Sequence, residues 1–175
     1  MNGPMIVIAG AGSGKTRVLT YKIAYLMTQG VDPFNILALT FTNKAAREMK
    51  ERIANIVGDE AKNLWMGTFH SVFARILRIE AHKIGYTSNF TIYDSDDSQK
   101  LVARIIKELN LDKEQYKYKI IFSRISSMKN NFISADQYVN DEEMLLSDKI
   151  SNRPKFHQIY KQYVERCFKA GAMDF

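Results

Sequence analysis

The sequence predicts an α/β fold: an incomplete parallel sheet with crossover helices, built around a phosphate-binding loop (P-loop), followed by a helical subdomain. Three observations support this prediction. A glycine-rich turn separates an apolar run from a helical pattern over residues 5–29. Strand-like apolar runs then alternate with amphipathic helical patterns as far as about residue 90. Beyond that point helical periodicity dominates, so the two halves differ in structural class.

The composition is that of a globular protein. The 175 residues are 46% hydrophobic, which is enough for a real core. No apolar run approaches the roughly 20 residues that cross a bilayer, and no signal-peptide pattern precedes Met5. We therefore expect a soluble, cytoplasmic protein without a membrane partner. The single Cys167 excludes a disulfide framework, and its apolar helical setting is typical of a buried thiol.

The positive charge is distributed unevenly. Residues 1–90 carry 11 Lys and Arg against 6 Asp and Glu, whereas residues 91–175 carry 14 against 13. The first half therefore holds most of the net charge of +6. A basic balance favours a polyanionic partner such as nucleic acid, although a basic surface can also serve solubility alone.

The glycine-rich turn predicts a nucleotide site. Residues 5–8 predict a buried strand, and the chain then reads AGAGSGKT over residues 9–16. Glycines allow consecutive N–H groups to point at one anion, and the following helix contributes its positive end. Ala9 stands where the pattern G-x-x-x-x-G-K-[ST] has glycine. That position ends the strand and does not wrap the phosphates, so a methyl group is compatible there. The predicted nucleotide-binding residues of this loop are Ala9, Gly10, Ala11, Gly12, Ser13, Gly14, Lys15 and Thr16.

Lys15 and Thr16 are the predicted catalytic residues. The Lys15 ammonium would contact the β- and γ-phosphates of ATP, and the Thr16 hydroxyl would ligate Mg²⁺. His70, His82 and His157 are scattered along the sequence and predict no metal cluster.

Helices and strands alternate after the loop. Residues 15–29 predict a helix that Gly30 stops. Residues 35–41 predict a second buried strand, and Asn43 is a candidate N-cap for a helix that Gly58 ends.

A third strand is predicted at 64–66, with a turn at Gly67. Thr68 or Ser71 would cap the next helix, which Gly85 would stop. The predicted inward residues of that helix are Val72, Phe73, Ile76 and Leu77.

The second half predicts a small helical subdomain. Residues 92–93 form a short strand, and Asp94 or the following serine caps a helix. Residues 114–129 and 154–169 predict amphipathic helices, whereas 126–151 is polar with short helical pieces at best. The apolar face of the first of these helices is Leu101, Val102, Ile105, Ile106 and Leu109.

Three segments resemble motifs I, Ia and Ib of superfamily 1 DNA helicases of the UvrD/Rep/PcrA type. They are AGAGSGKTRVLTYKIAYL from residue 9, LTFTNKAAREMKERI from residue 39 and GTFHSVFARILR from residue 67. IYDSDDSQ, KNN and the final AGAMDF resemble the family's subdomain 1B and its return to domain 1A. The resemblance implies a RecA-like P-loop domain 1A, incomplete, at 1–90, subdomain 1B at 91–170, and a return to 1A at 171–175.

The resemblance also implies roles for individual residues. Arg17 matches an arginine that stacks on adenine; the alternative is a solvated helix residue. Phe41 matches a DNA-stacking position, with core packing as its alternative. For His70 a structural role is nearly as well supported as a DNA contact. The implied single-stranded-DNA residues are Thr40, Phe41, Thr42 and Asn43 of motif Ia and Gly67, Thr68, Phe69 and His70 of motif Ib.

The helix after motif Ia carries Lys44, Arg47 and Lys50. These three residues form either a basic stripe that faces DNA or an ordinary solvated face.

The implied activity is ATP-dependent DNA unwinding with 3′ to 5′ translocation. ATP and Mg²⁺ are the implied cofactors, and single-stranded DNA, duplex junctions and the remaining helicase domains are the implied partners. The sequence lacks the family's Asp-Glu pair of motif II and its transition-state arginines, and Asp94, Asp96 and Asp97 are better explained as a helix N-terminus. We therefore expect no useful hydrolysis by this chain alone.

Two other functions fit the residues. One is a nucleotide-gated DNA-binding fragment without hydrolysis. The other is an unrelated P-loop NTPase such as a kinase, against which motifs Ia and Ib argue. Composition and spacing do not separate repair from replication, and they do not give the oligomeric state.

Overall fold

A computed structural model describes residues 3–10 and 12–174 of the chain. The chain divides into two compact units, residues 1–77 and 78–175. The first contains α1 (Lys15–Thr28), β1 (Leu37–Thr40), α2 (Asn43–Val57), β2 (Trp65–Thr68) and α3 (Phe69–Glu80), whose last turn belongs to the second unit. The second contains β3 (Thr91–Tyr93), α4 (Ser95–Glu108), α5 (Tyr118–Asn130), α6 (Ala135–Val139), α7 (Glu142–Ile150), α8 (Phe156–Lys169) and β4 (Ala172–Asp174). No helix within the described ranges is long and apolar enough to cross a membrane.

The first unit is organised by a strand–helix–strand crossover. β1 and β2 pair in parallel, with Leu37 opposite Trp65 and Thr40 opposite Thr68. The crossover helix α2 has a high apolar periodicity, and its Met49 and Ile53 are fully buried. The predicted second and third strands and the helix between them are present. The second strand is buried only in part, since Leu37 is 50% exposed, and Gly67 lies within β2 and not in the predicted turn.

The predicted strand at residues 5–8 is wrong. This segment has no strand conformation, and the side chains of Ile6 and Ile8 are 88% and 95% exposed. A parallel strand depends on neighbours for its hydrogen bonds and on covering helices for its burial. In the part of the chain that the structure describes, β1 and β2 pair only with each other, so the segment has no strand to join.

The predicted α/β class is confirmed, but a complete P-loop sheet is not. The described residues form two separate two-stranded parallel sheets, β1 with β2 and β3 with β4. The crossover helix prediction holds for the first sheet.

The N-cap of α2 differs from the prediction by one residue. Thr42, not Asn43, is the N-cap, and its hydroxyl accepts a hydrogen bond from the Ala45 amide at 3.2 Å. Asn43 is the first helical residue instead. Both residue types favour caps, and the extended backbone of Thr42 decides between them. Gly58 ends the helix with φ of 73°, as predicted.

The inward face predicted for α3 is only partly buried. Val72 is buried, whereas Phe73 and Leu77 are 47% and 37% exposed. Apolar periodicity identifies the apolar face of a helix but does not say that another element covers it. Thr68 caps α3 as predicted, since its hydroxyl accepts from the Ser71 amide at 3.3 Å.

The second unit is helical, as predicted, around a short parallel pair. Thr91 of β3 lies opposite Ala172 of β4, and the Asp94 carboxylate caps α4 by accepting from the Asp97 amide at 2.8 Å. Cys167 is buried in the core, and burial raises the pKa of its thiol. The buried core residues of this unit are Val102, Ile105, Ile106, Tyr116, Ile121, Ile125, Ala135, Tyr138, Phe156, Ile159, Tyr160, Tyr163 and Cys167.

Two predicted boundaries in this unit shift. The helix predicted from residue 114 begins at Tyr118, because the Asp112 carboxylate accepts from the Glu114 amide at 2.7 Å and holds a turn there. The polar stretch 126–151 contains a nine-residue helix, α7, which is longer than expected. Asp141 begins it, with its carboxylate accepting from the Met144 amide at 3.0 Å.

A buried polar network joins α5, α6 and α7. Asp148 is fully buried, and its Oδ1 accepts from Arg124 Nη2 at 2.5 Å and from the Tyr138 hydroxyl at 3.0 Å. Arg124 also donates to the Tyr138 oxygen at 2.7 Å and lies 4.4 Å from the centre of the Phe156 ring. Burial raises the pKa of Asp148, and the Tyr138 hydrogen bond and the Arg124 charge oppose that rise.

The segments KNN and AGAMDF, which are distant in sequence, meet in this unit. Lys129 forms an ion pair with one oxygen of Asp174, and the Tyr163 hydroxyl donates to the other at 2.6 Å. This contact ties the C-terminal end of α5 to β4.

Removing the cation of the buried network should destabilise the protein. We expect Arg124→Met to lower the free energy of unfolding by about 3–5 kcal/mol, because it leaves Asp148 as an uncompensated buried charge. The loss should shrink in mildly acidic buffer, since a buried acid with a raised pKa favours the folded state when it is protonated. Urea unfolding at two pH values measures this effect. The double variant Arg124→Met/Asp148→Leu should recover part of the loss, and a double variant less stable than the single one would contradict the account.

Candidate functional site

The glycine-rich loop curls tightly before α1. Gly12 and Gly14 have φ of 76° and 87°, a left-handed conformation that side chains rarely adopt. No neighbouring atom would clash seriously with a Cβ at either position, so conformation and not space requires glycine. The Ser13 hydroxyl closes the turn by donating to the Gly10 carbonyl at 2.7 Å. Ala11 lies outside the described residues.

The loop delivers its groups to the N-terminus of α1. Gly14 is the N-cap of this helix, and its first turn holds no acidic side chain. The first-turn N–H groups and the positive end of the helix dipole therefore have no carboxylate of their own helix to satisfy them. This arrangement is suited to an anion.

Lys15 folds over the loop. Its Nζ donates to the carbonyls of Gly10 at 2.6 Å and Ala9 at 3.1 Å. Both acceptors are neutral carbonyls, which a phosphate oxygen would replace with a stronger, charge-assisted bond. Thr16 is half-buried behind it, and its carbonyl accepts from the Thr20 hydroxyl at 2.9 Å. The left-handed glycines, the helix N-terminus and the Lys15 ammonium are suited to a nucleotide phosphate chain, and Thr16 is the residue of this loop whose hydroxyl could hold a Mg²⁺ ion.

A cavity of about 540 Å³ opens beside the loop. Its wall includes Gly12, Gly14, Arg17 and Tyr21. The Arg17 guanidinium lies 5.7 Å from the centre of the Tyr21 ring, a cation–π contact that holds the planar group at the cavity. Tyr21 was not predicted from the sequence. Its spacing of four residues from Arg17 places both on one face of α1, and that is the signal which could have found it.

The parallel register brings the two predicted DNA segments together. Residues 40–43 and 67–70 both begin at the carboxyl ends of β1 and β2, and Thr40 is opposite Thr68. The Thr40 hydroxyl donates to the Thr42 carbonyl at 3.1 Å and lies 3.5 Å from the Gly67 carbonyl. The two segments therefore form one edge.

Aromatic side chains at this edge face water. Phe41 is 92% exposed and Phe69 is 51% exposed. Core packing, the alternative for Phe41, is therefore wrong. Asn43 and His70 are also exposed, and His70 has a further interaction of its own. Exposed rings beside hydroxyl and amide groups are suited to stacking on bases and to hydrogen bonding with phosphates.

Gly67 makes the close packing of this edge possible. A Cβ at Gly67 would lie 2.5 Å from Ser71 Oγ and 3.0 Å from a methyl group of Val72. Ser71 Oγ is held by the Thr68 carbonyl and hydroxyl, each at 3.0 Å. The glycine thus lets the end of β2 and the first turn of α3 approach each other, which fixes Thr68 in its buried position.

The predicted cations of α2 and the aspartates of α4 lie where the sequence placed them. Lys44, Arg47 and Lys50 lie exposed on α2, as both of their alternatives require. Asp94, Asp96 and Asp97 form the N-terminus of α4, as predicted. No group of three potential metal ligands occurs among the described residues.

The family is decided by comparison with known proteins. The family model of the UvrD/REP helicase N-terminal domain matches residues 1–175, the whole chain. The chain belongs to this family. ATP-dependent DNA helicase PcrA of Staphylococcus epidermidis is 41% identical over 174 residues, which are 99% of this chain and 23% of that protein. PcrA of Staphylococcus aureus gives the same identity and coverage. The chain therefore spans about a quarter of the length of these UvrD/REP relatives.

Adding a methyl group at Gly67 should destabilise this UvrD/REP domain without changing its charge. We expect Gly67→Ala to lower the free energy of unfolding by about 1–3 kcal/mol, because Ser71 must leave its hydrogen bonds with Thr68 and Val72 must shift. Thermal unfolding measures the loss. Gly3→Ala is the control, since nothing lies within 4 Å of that position. Equal stability of Gly67→Ala and the wild type would contradict the packing described.

Proposed function

We propose that this chain is the N-terminal, ATP- and single-stranded-DNA-binding part of an ATP-dependent DNA helicase that translocates 3′ to 5′. One observation supports this most strongly. The edge of the β1–β2 sheet gathers motif Ia and motif Ib residues, including the 92%-exposed Phe41, within a unit that also holds a glycine-rich loop suited to phosphate. We place this activity in the cytoplasm, with DNA as the substrate.

In the nucleotide role each residue acts through its own chemistry. The left-handed backbone at Gly12 and Gly14 would let N–H groups face the phosphates, and Lys15 would supply a positive charge to the β- and γ-oxygens. Thr16 would hold Mg²⁺, which neutralises charge on the phosphates. Arg17, positioned by Tyr21, offers a flat cation on which the adenine can stack.

In the DNA role the strand edge holds the backbone and stacks a base. The hydroxyls of Thr40 and Thr42, the Asn43 amide and the His70 ring provide phosphate partners, and Phe41 provides a stacking face. The exposed cations Lys44, Arg47 and Lys50 on α2 add a salt-dependent attraction for the polyanion.

We assign the chain to a partial, RecA-like domain 1A at 1–90, subdomain 1B at 91–170 and a return to 1A at 171–175. Duplex junctions and the remaining helicase domains are the proposed partners of the whole protein. For the chain by itself, nucleotide-gated DNA binding without hydrolysis is a second candidate function, because the glycine-rich loop and the strand edge lie in the same compact unit.

Lys15 should be required for nucleotide binding. We expect ATP or ADP with Mg²⁺ to bind weakly and Lys15→Ala to abolish the binding, because a charge-assisted contact worth about 1.5–3 kcal/mol is removed. Isothermal titration calorimetry measures this affinity. Lys62→Ala, an exposed lysine paired with Asp59, should bind like the wild type. If Lys15→Ala and the wild type bound nucleotide with equal affinity, the proposed nucleotide site would be wrong.

Phe41 should contribute to binding of single-stranded DNA. We expect Phe41→Ala to weaken binding by about 1–3 kcal/mol if a base stacks there, with the melting temperature unchanged because the ring is 92% exposed. Fluorescence anisotropy with a labelled oligonucleotide measures it, at several salt concentrations. Phe34→Ala is the matched control, a 58%-exposed ring preceding the opposite end of β1. Equal losses in both variants would show that the effect is not specific to the edge.

This chain alone should hydrolyse no ATP at a useful rate, with or without DNA. Holding the ground state does not lower the barrier, and the missing charge-stabilising groups are worth about 10³–10⁵ in rate in related NTPases. A phosphate-release assay tests this, with Lys15→Ala subtracted as contaminating activity. DNA-stimulated turnover above that background would mean that the chain or a dimer completes the site.

A further inference from the structure

A groove in the second unit combines an apolar floor with a basic rim. It lies between the C-terminal half of α4, the turn that follows and the first turn of α5, and its volume is about 880 Å³. Ile106 and Tyr116 form its floor and are 2% and 3% exposed. Tyr118 and Ile120 extend the apolar surface to the rim, where they are 42% and 45% exposed. No residue proposed above for nucleotide or DNA lines this groove.

The charge of the groove is strongly unbalanced. Glu114 is its only carboxylate, and it lies 3.5 Å from Lys117. Within the described ranges, Lys107, Lys113 and Lys119 form no ion pair, and the first turn of α5 has no acidic residue. The cations that line the groove are Arg104, Lys107, Lys113, Lys117 and Lys119.

The groove is distinguished by exposed apolar atoms among its cations. The cations themselves are exposed to solvent, as surface lysines and arginines ordinarily are. Five cations line the groove together with exposed apolar atoms of Ile120 and Tyr118, which stay in contact with water unless a ligand covers them. The complementary ligand has apolar and negative groups together.

We propose that this groove binds an acidic, amphipathic peptide segment of a partner protein. The apolar side chains of the segment would contact the floor formed by Ile106 and Tyr116 and the exposed Ile120 at the rim, and its carboxylates would pair with the lysines of the rim. This is the helix-in-groove mode of peptide recognition, and the opposite charges of the two surfaces accelerate encounter and select the partner.

A nucleic acid fits the groove less well. A phosphodiester backbone satisfies the cations, but it has no aliphatic groups to cover the exposed Ile120. Tyr118 alone provides an exposed ring for a base. A peptide uses both the floor and the rim, and the apolar floor therefore favours it.

Fluorescence anisotropy with the full chain tests the proposal. The probe is a labelled synthetic peptide in which glutamate and leucine repeat at helical spacing. We expect saturable binding that weakens with salt. The charge reversal Lys107→Glu/Lys119→Glu should reduce the affinity by roughly tenfold or more, and Ile120→Ser by several-fold. A polyglutamate peptide, which lacks the apolar groups, should bind much more weakly than the probe.

Matched controls come from the same unit. Lys149→Glu/Lys161→Glu reverses two exposed charges outside the groove, and Ile150→Ser changes an 80%-exposed isoleucine of α7. Both should leave the affinity for the peptide unchanged. So should Lys15→Ala and Phe41→Ala, which separates this proposal from the nucleotide and DNA sites.

Two results would overturn the proposal. One is a peptide that does not bind, or that binds equally to the groove variants and the controls. The other is a labelled single-stranded or duplex oligonucleotide that loses affinity on charge reversal but not on Ile120→Ser, while the peptide does not bind. That second outcome would make the groove a nucleic-acid surface.

Discussion

The parallel pairing of β1 with β2 is the constraint on which the candidate site depends. Because the strands run in the same direction with Thr40 opposite Thr68, the two segments that leave their carboxyl ends must emerge at one edge. The crossover helix α2 enforces this direction by burying Met49 and Ile53 against the sheet. An antiparallel or slipped pair would separate the segments, and a one-residue slip would also turn Ala38 out of the core.

In the first unit, small and large side chains have different roles at the strand ends. Small residues and hydroxyl groups pack and cap the elements. Gly67 allows close packing at the end of β2, and the hydroxyls of Thr42 and Thr68 cap the helices that follow. The large side chains at the edge stay in water. Phe41 at 92% exposure cannot be explained by stability, since burying a ring of that size would be favourable by about 1.5–3 kcal/mol. We therefore propose the exposed Phe41 ring as a ligand contact.

Local sequence signals predicted some features well and others poorly. The glycine-rich loop, the helix that follows it and the Asp94 cap depend on neighbouring residues, so they were predictable from short patterns. The apolar run at 5–8 reads as a strand, but a strand forms only where others can pair with it, and no local pattern encodes that. The prediction that Phe73 and Leu77 of α3 are buried was wrong for a similar reason, since no local pattern says whether another element covers a helix face. The contact of Arg17 with Tyr21 follows helical spacing and could have been found. The Arg124–Tyr138–Asp148 network and the basic groove join segments distant in sequence, so they required the structure.

The central claim is that the loop before α1 binds nucleotide and that the β1–β2 edge binds single-stranded DNA. Amide chemical-shift mapping of the isotope-labelled chain tests both parts directly. Titration with ATP and Mg²⁺ should shift the amides of residues 12–17, and titration with a short single strand should shift those of 40–43 and 67–70. Shifts by both ligands confined to other residues, or by neither ligand at any concentration, would contradict the account.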